Sequence, residues 1–286
     1  MYLSRIRLHD NISSTQLPLL LKDRQGYGLH RLFWDLFSEG NGDTQRRDFL
    51  FREEISGEQL TQPGKRKGAP IYYVLSKQAP IKDSPLFQIE TKNYQPELCE
   101  GERIGFKLRV NAVVSRERKR HDIVMDEQYC WLRQQLNEMG VATEGKKSEL
   151  KNRVLDHAGD TQLVLWEALI EAGRYADKLV QSLGRSEKLD WAIKTVIEAR
   201  IQKWWISKGE RLGFEVPIDD AGQHLLDAVA YRKHPLPEKS ALASFNSLDL
   251  SGEVVIRNVD RFKQLLFEGV GPSKAFGCGL MMIRRL

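Results

Sequence analysis

The chain changes its periodicity twice, and that change constrains its fold more than any other feature of the sequence. From residue 126 to about residue 210 the apolar residues recur at helical spacing, whereas the stretches on either side mix strand-like and helix-like runs. Within the central block, helices are predicted over 131–139, 148–158 and 161–172, and each run meets a glycine (Gly140, Gly159, Gly173), the expected C-terminal stop. The pattern continues over 175–183 and 189–205. Ahead of the block, residues 2–8 alternate as a half-buried strand, and Leu29, Phe33, Leu36 and Phe37 mark a helix over 27–37. Short strands are expected over 49–54, 71–75 and 87–91, with a basic loop at 61–68 bracketed by Gly and Pro. Strand, helix and three strands suggest a small α+β sandwich of ferredoxin-like pattern, in which no second helix is obvious.

Residues 103–125 read as two strands around a charged turn, with Phe106, Leu108 and Val110 on one strand and Ile123 and Val124 on the other. After the helical block come a strand over 248–256, an amphipathic helix over 259–268, a glycine-rich loop and a last strand over 280–283. The fold expected is therefore α+β, with two tandem ferredoxin-like (RRM-like) domains, the second interrupted by an all-helical insertion. The divisions are 1–94 for the first domain, 95–125 with 200–286 for the second, and 126–199 for the insertion.

Composition excludes several classes. Hydrophobic residues make up 41% of the chain, enough for packed cores. Lys and Arg number 44 against 39 Asp and Glu, a surplus too modest to identify a partner, so where the charge lies matters more than its total. Cys99, Cys130 and Cys278 are odd in number and widely spaced, which gives no disulfide framework or metal-ligand spacing and fits a reducing cytoplasm. The first residues carry no apolar signal core, and the apolar run at 17–21 is short and contains Pro18. A cytoplasmic protein, neither exported nor membrane-embedded, is expected.

Three features are candidates for chemistry. Four glycines stand in the eleven residues from Gly269 through Gly271 and Gly277 to Gly279, between a helix and a strand. Such a loop lets the backbone approach another chain closely, and its N–H groups, with Ser273 and Lys274, could hold a phosphate. It is neither a Walker loop nor a dinucleotide fingerprint, and a tight helix-to-strand connection is the alternative. Tyr27 and His30, three residues apart, share a face if they open a helix, whose N-terminus would favour an anion. The plainer reading is a surface histidine beside a core aromatic. Arg116, Arg118, Lys119 and Arg120 crowd one turn, which is either a phosphate-contacting hairpin or a solvated face.

Taken in order, several motifs resemble one family. They are Met1-Tyr2-Leu3-Ser4, the Tyr-x-x-His-x-x-x-Trp-x-Leu-Phe from Tyr27 to Phe37, and Arg47-Asp48-Phe49-Leu50-Phe51-Arg52. With them stand Arg109-Val110-Asn111-Ala112, Lys208-Gly209-Glu210-Arg211-Leu212-Gly213-Phe214 and the C-terminal Gly-x-Gly-Pro-x-Lys-x-x-Gly-Cys-Gly-Leu. The set resembles the repeat-processing CasE endoribonucleases of type I-E CRISPR systems, built from two ferredoxin-like domains. The resemblance implies binding and metal-independent cleavage of the repeat hairpin of precursor CRISPR RNA, with no cofactor, and retention as a subunit beside other Cascade subunits. It implies attack by the RNA 2′-OH, leaving a 2′,3′-cyclic phosphate and a 5′-OH. His30 would protonate the departing 5′ oxygen and Tyr27 would hold or activate the 2′-OH, although sequence does not decide which acts where. The basic hairpin would reach stem phosphates, since A-form stems are read mainly through backbone and shape.

The family joins the hairpin directly to the Gly-Phe-containing helix, so the insertion is a departure. Leu132, Leu136, Gly140, Gly145, Leu150 and Val154 are spaced as in a SAP module, a DNA-binding helical hairpin. Lys146, Lys147, Lys151 and Arg153 could then contact phosphates of duplex DNA. A helical spacer is the alternative there, and a non-catalytic RNA- or DNA-binding subunit is the alternative for the whole chain.

Overall fold

The computed structural model describes residues 1–9, 28–37, 49–55, 70–116, 118–236 and 243–286. Its elements in chain order begin with β1 (Tyr2–Leu8), α1 (Gly28–Trp34), β2 (Phe49–Ile55), β3 (Pro70–Ser76), β4 (Phe87–Asn93) and β5 (Arg103–Val110). Then come β6 (Val113–Arg116), β7 (Lys119–Asp122), α2 (Ile123–Glu138), α3 (Lys147–His157), α4 (Asp160–Glu171) and α5 (Arg185–Ile206). The last are α6 (Gly209–Leu212), β8 (Phe214–Glu215), β9 (Leu226–Pro235), β10 (Ser244–Ile256), α7 (Val259–Glu268) and β11 (Met281–Arg285). Two compact units result, one of Met1–Asn111 with Gly209–Leu286 and one of Ala112–Lys208.

The first unit carries two antiparallel sheets. In one the order is β2-β3-β1-β4, the ferredoxin arrangement with the first and third strands central. Period-two alternation sends Ile6, Leu8, Phe49, Phe51, Tyr72, Val74 and Phe87 to one face, where Leu32, Phe33 and Leu36 close the core. Residues 77–86 form no helix, and Ile81 and Leu86 of that connection pack on the same core. The other sheet runs β11-β5-β10-β8, with β9 also paired to β10. Counting β8 and β9 as its second strand, this repeats the same order around β5 and β10. Phe262, Leu265 and Leu266 are the buried stripe of α7, and the Asn258 side chain caps that helix by accepting from Arg261 N at 2.9 Å. Leu50, Leu75 and Leu280, flanked by Leu3, Tyr73, Tyr94 and Met282, form a separate core where β2 and β3 of one sheet meet the β11 end of the other.

The second unit combines the two-stranded hairpin β6–β7 with the helices. Ile123 and Val124, expected in a strand, instead begin α2, because the Asp122 carboxylate accepts from Val124 N at 3.0 Å and Met125 N at 2.9 Å. The first helix of the block thus starts eight residues ahead of the expected 131. Residues 176–180 form a 3-10 turn rather than part of a full helix. Leu132, Leu136, Leu150 and Val154 are fully buried against Trp166, Ile170, Leu189 and Ile193, so the helices share a core of their own. Among the described residues no helix is long and apolar enough to cross a membrane.

Candidate functional site

His30 stands on α1, half-buried, with its ring 5.0 Å from Phe49 and 6.3 Å from Phe51 of β2. The alternation of β2 aims both phenyl rings at the helix, where they also enclose Phe33, so the imidazole rests on a fixed aromatic floor. Four residues on, the Trp34 indole N–H donates to His30 Nδ1 at 3.1 Å. Tyr27 lies outside the described residues, as do Arg47, Asp48 and the basic loop 61–68.

The glycine-rich run belongs to the same neighbourhood. Its 3-10 turn, Lys274–Phe276, lies beside α1 and β2. A Cβ on Gly277 would come 3.2 Å from the Phe51 ring, the ring that also borders His30. Gly269, at φ 73°, turns the chain off α7 where a Cβ would lie 2.8 Å from Leu50. Gly279, at φ 98°, runs against the carbonyl of Val270, where a Cβ would come within 3.0 Å. Only glycine meets both demands without strain. Gly271 packs on the end of β5, a Cβ there coming within 3.1 Å of Val110.

Several polar groups of the loop are already engaged. Gly279 N donates to Arg109 O at 2.7 Å, Gly277 N to Lys274 O at 3.2 Å, and Phe276 N to Ser273 O at 3.0 Å. The Ser273 hydroxyl accepts from Asn111 Nδ2 at 2.8 Å, which holds Ser273 in a left-handed conformation at φ 62°. The Lys274 ammonium donates to Glu268 O at the end of α7. The amides of Gly277 and Gly279 are therefore engaged within the chain, as the alternative of a tight helix-to-strand connection implies. The run is a tight connection that also carries Ser273 and Lys274 to the surface around α1.

Behind the loop, in the second sheet, Arg109 and Asp249 stand directly opposite and form a two-pronged ion pair at 2.7 and 3.0 Å. Burial alone would raise the Asp249 carboxyl. The Arg109 hydrogen bonds and the charges of Arg109, Arg52 and Arg232 outweigh it and hold the group below its ordinary range. Burial pushes the Cys278 thiol up to about 12, which leaves it a small apolar packing group rather than a nucleophile. His234 is lowered by burial and by Arg109 and Arg232, and it stacks 4.7 Å from Phe245, whose ring is 5.0 Å from Phe276. Neither this pair nor these rings were singled out from sequence, because the partners lie far apart along the chain.

The four basic residues of the expected turn do share one hairpin, with Arg118 at its tip in a left-handed conformation at φ 62°. Arg118, Lys119 and Arg120 are exposed, while Arg116 is ion-paired to Asp126. In the helical unit Lys146 is exposed on the turn before α3. Lys147 donates to Gln128 at 2.9 Å, Lys151 pairs with Asp190, and Arg153 donates to the carbonyls of Ala142 and Glu144. Three of the four candidate DNA contacts thus have structural partners within the unit.

Two ferredoxin-like sheets in tandem, with an imidazole on the first helix and a glycine-rich turn against it, define a class of paired ferredoxin-like proteins. A family model described as CRISPR associated protein matches residues 1–285, and the chain belongs to that family. Comparison with curated protein sequences gives no match. Among solved structures the fold is similar to that of Thermus thermophilus Cse3 bound to an RNA representing a pre-cleavage complex. The identity there is 15% and the TM-score 0.57, over 99% of this chain and 98% of that one. It is also similar to the CRISPR endoribonuclease Cse3 bound to 19 nt RNA, with 17% identity and TM-score 0.55 over 99% and 100% of the two chains. A CRISPR-associated protein from Thermus thermophilus matches at 17% identity and TM-score 0.54, again over 99% and 100%.

Proposed function

We propose that this chain is an endoribonuclease that binds the repeat hairpin of precursor CRISPR RNA, cuts it without a metal, and keeps the product as a Cascade subunit. The observation that carries the reading is His30 itself, part-exposed on α1 above Phe49 and next to the glycine-rich turn, in a chain of the CRISPR-associated family. Membership and a fold shared with an endoribonuclease bound to RNA support the substrate class.

In the reaction, the 2′ oxygen forms a bond to the adjacent phosphorus as the bond from phosphorus to the 5′ oxygen breaks. The 2′ hydroxyl gives up its proton, the 5′ oxygen gains one, and the products are a 2′,3′-cyclic phosphate and a 5′-OH. His30 serves the departing 5′ oxygen, and Tyr27 holds or activates the 2′ hydroxyl. Arg118, Lys119 and Arg120 of the β6–β7 hairpin contact stem phosphates, and Ser273 and Lys274 of the glycine-rich turn contact RNA beside α1. Residues 1–94 and 95–125 with 200–286 are the two RNA-binding domains, and 126–199 is an inserted helical module that contacts duplex DNA. Incubating the purified chain with candidate repeat hairpins in EDTA tests the reading. A cut at the 3′ base of the hairpin, with a cyclic phosphate on the upstream product, is expected. Tight binding without cleavage would instead define a non-catalytic RNA-binding subunit.

A further inference from the structure

We propose that Trp34 is a positioning residue for His30: its indole N–H fills Nδ1, so the neutral ring presents Nε2–H to the RNA as a donor. An indole nitrogen only donates, so the Trp34 contact at 3.1 Å requires a bare lone pair on His30 Nδ1. A neutral imidazole carries one hydrogen, which then sits on Nε2. That nitrogen cannot accept the 2′ hydroxyl proton while it holds its own. His30 is thereby assigned to the departing 5′ oxygen as a neutral hydrogen-bond donor that stabilises the charge developing there; solvent water supplies the proton that oxygen gains, and the 2′ hydroxyl gives its own proton to another group. This deepens the nuclease reading above and rests on it.

The placement of Trp34 fits this task better than a packing role. At 36% exposure it is not part of the core that Leu32 and Phe33 enter from the same helix. Its spacing of four residues stacks it one helical turn beyond His30. Its ring meets Phe49 edge-on at 5.7 Å, with planes at 72°, and that ring also carries the imidazole at 5.0 Å. Phe49 thus fixes both rings while the N–H joins them, a shared support that limits rotation of the imidazole about its side-chain bonds.

The test uses two variants of the full chain. Trp34→Phe keeps an aromatic ring without the donor. Incorporating 3-benzothienylalanine at position 34 keeps the bicycle and replaces only N–H by sulfur, so the packing survives. Nitrogen NMR of the histidine rings at about pH 8, where an ordinary histidine is neutral, should show wild-type His30 with a bare, hydrogen-bonded Nδ1 and a protonated Nε2. Both variants should lose the hydrogen-bonded Nδ1 signature. Their single-turnover cleavage should fall by roughly 10- to 100-fold, the scale of a misaligned reacting group, with unchanged hairpin affinity. A wild-type Nδ1 that carries the hydrogen, or a benzothienyl variant that cuts at the wild-type rate, overturns the assignment. If wild-type protein cuts no hairpin, the nuclease reading fails by itself, and the ring spectrum still decides whether Trp34 sets the tautomer.

Discussion

Replacing His30 with Ala removes the imidazole from α1 but leaves Phe33, Phe49 and Phe51 packed beneath it. Single-turnover cleavage should therefore slow by roughly 10²- to 10⁴-fold, while hairpin affinity moves little. A parallel loss of binding and cutting would make His30 an RNA contact instead. Tyr27→Phe, which keeps the ring, should cost less. A second residue-scale expectation concerns stability. Arg109 and Asp249 are 14% and 12% exposed, so Asp249→Asn strands a guanidinium in the sheet and should cost about 3 kcal/mol in urea denaturation. Burial and the charges of Arg109 and Arg232 push His234 below the ordinary 6.5. Its stabilising contribution is complete above that value and is lost as pH falls toward the folded one. Asp249, also depressed, contributes above about 3.8 and loses its contribution at lower pH still. Stability should thus decline as pH falls below the ordinary 6.5 of histidine, and His234→Gln should flatten that decline. A profile equally steep in the variant would assign it elsewhere.

Among the elements, the β6–β7 hairpin and the helical module make separable predictions. Arg116 is tied to Asp126, which leaves Arg118, Lys119 and Arg120 as the proposed phosphate contacts. Converting all four residues to Ala should weaken hairpin binding and reduce the slope of log affinity against log salt by roughly two to three. Saturating protein should then largely restore the cutting rate; an unchanged slope would make the run a solvated turn. Lys146→Ala with Lys147→Ala should lower duplex DNA binding and spare hairpin cleavage, and equal DNA binding by the variant would refute a DNA-contacting role for this turn. How far such elements were legible depended on local signals. The strands over 2–8 and 248–256 and the helix over 259–268 each have one clean apolar face, and all three form where expected. Ile123 and Val124 are β-branched and suggested a strand, but the Asp122 cap outweighs that preference. β9 gave no signal because its inner face turns from Leu226, Ala228 and Ala230 to Arg232 and His234, while its outer face carries Val229 and Tyr231 beside Asp227 and Lys233, and its ten residues are specified by pairing with β10. At the site, His30 and the glycine-rich run were each legible alone. Their approach through Phe51 was not, since the residues lie at opposite ends of the chain.

For the whole molecule, the chemistry and the helical module should come apart. The buried Leu132, Leu136, Leu150 and Val154 pack within a core made of the helices themselves, and the residues assigned to cleavage lie outside it. A short Gly/Ser linker in place of residues 126–195 should therefore leave a folded, active nuclease; unfolding would show that these helices support the rest of the chain. The claim on which everything else depends is that the RNA supplies its own nucleophile. It is tested most directly with a repeat hairpin carrying a single 2′-deoxy nucleotide immediately upstream of the cut, incubated with excess protein in EDTA. The modified RNA should bind as tightly as the unmodified hairpin and remain intact while the unmodified one is cut to a cyclic phosphate. Cleavage of the deoxy RNA at the same phosphodiester would contradict attack by the 2′ hydroxyl.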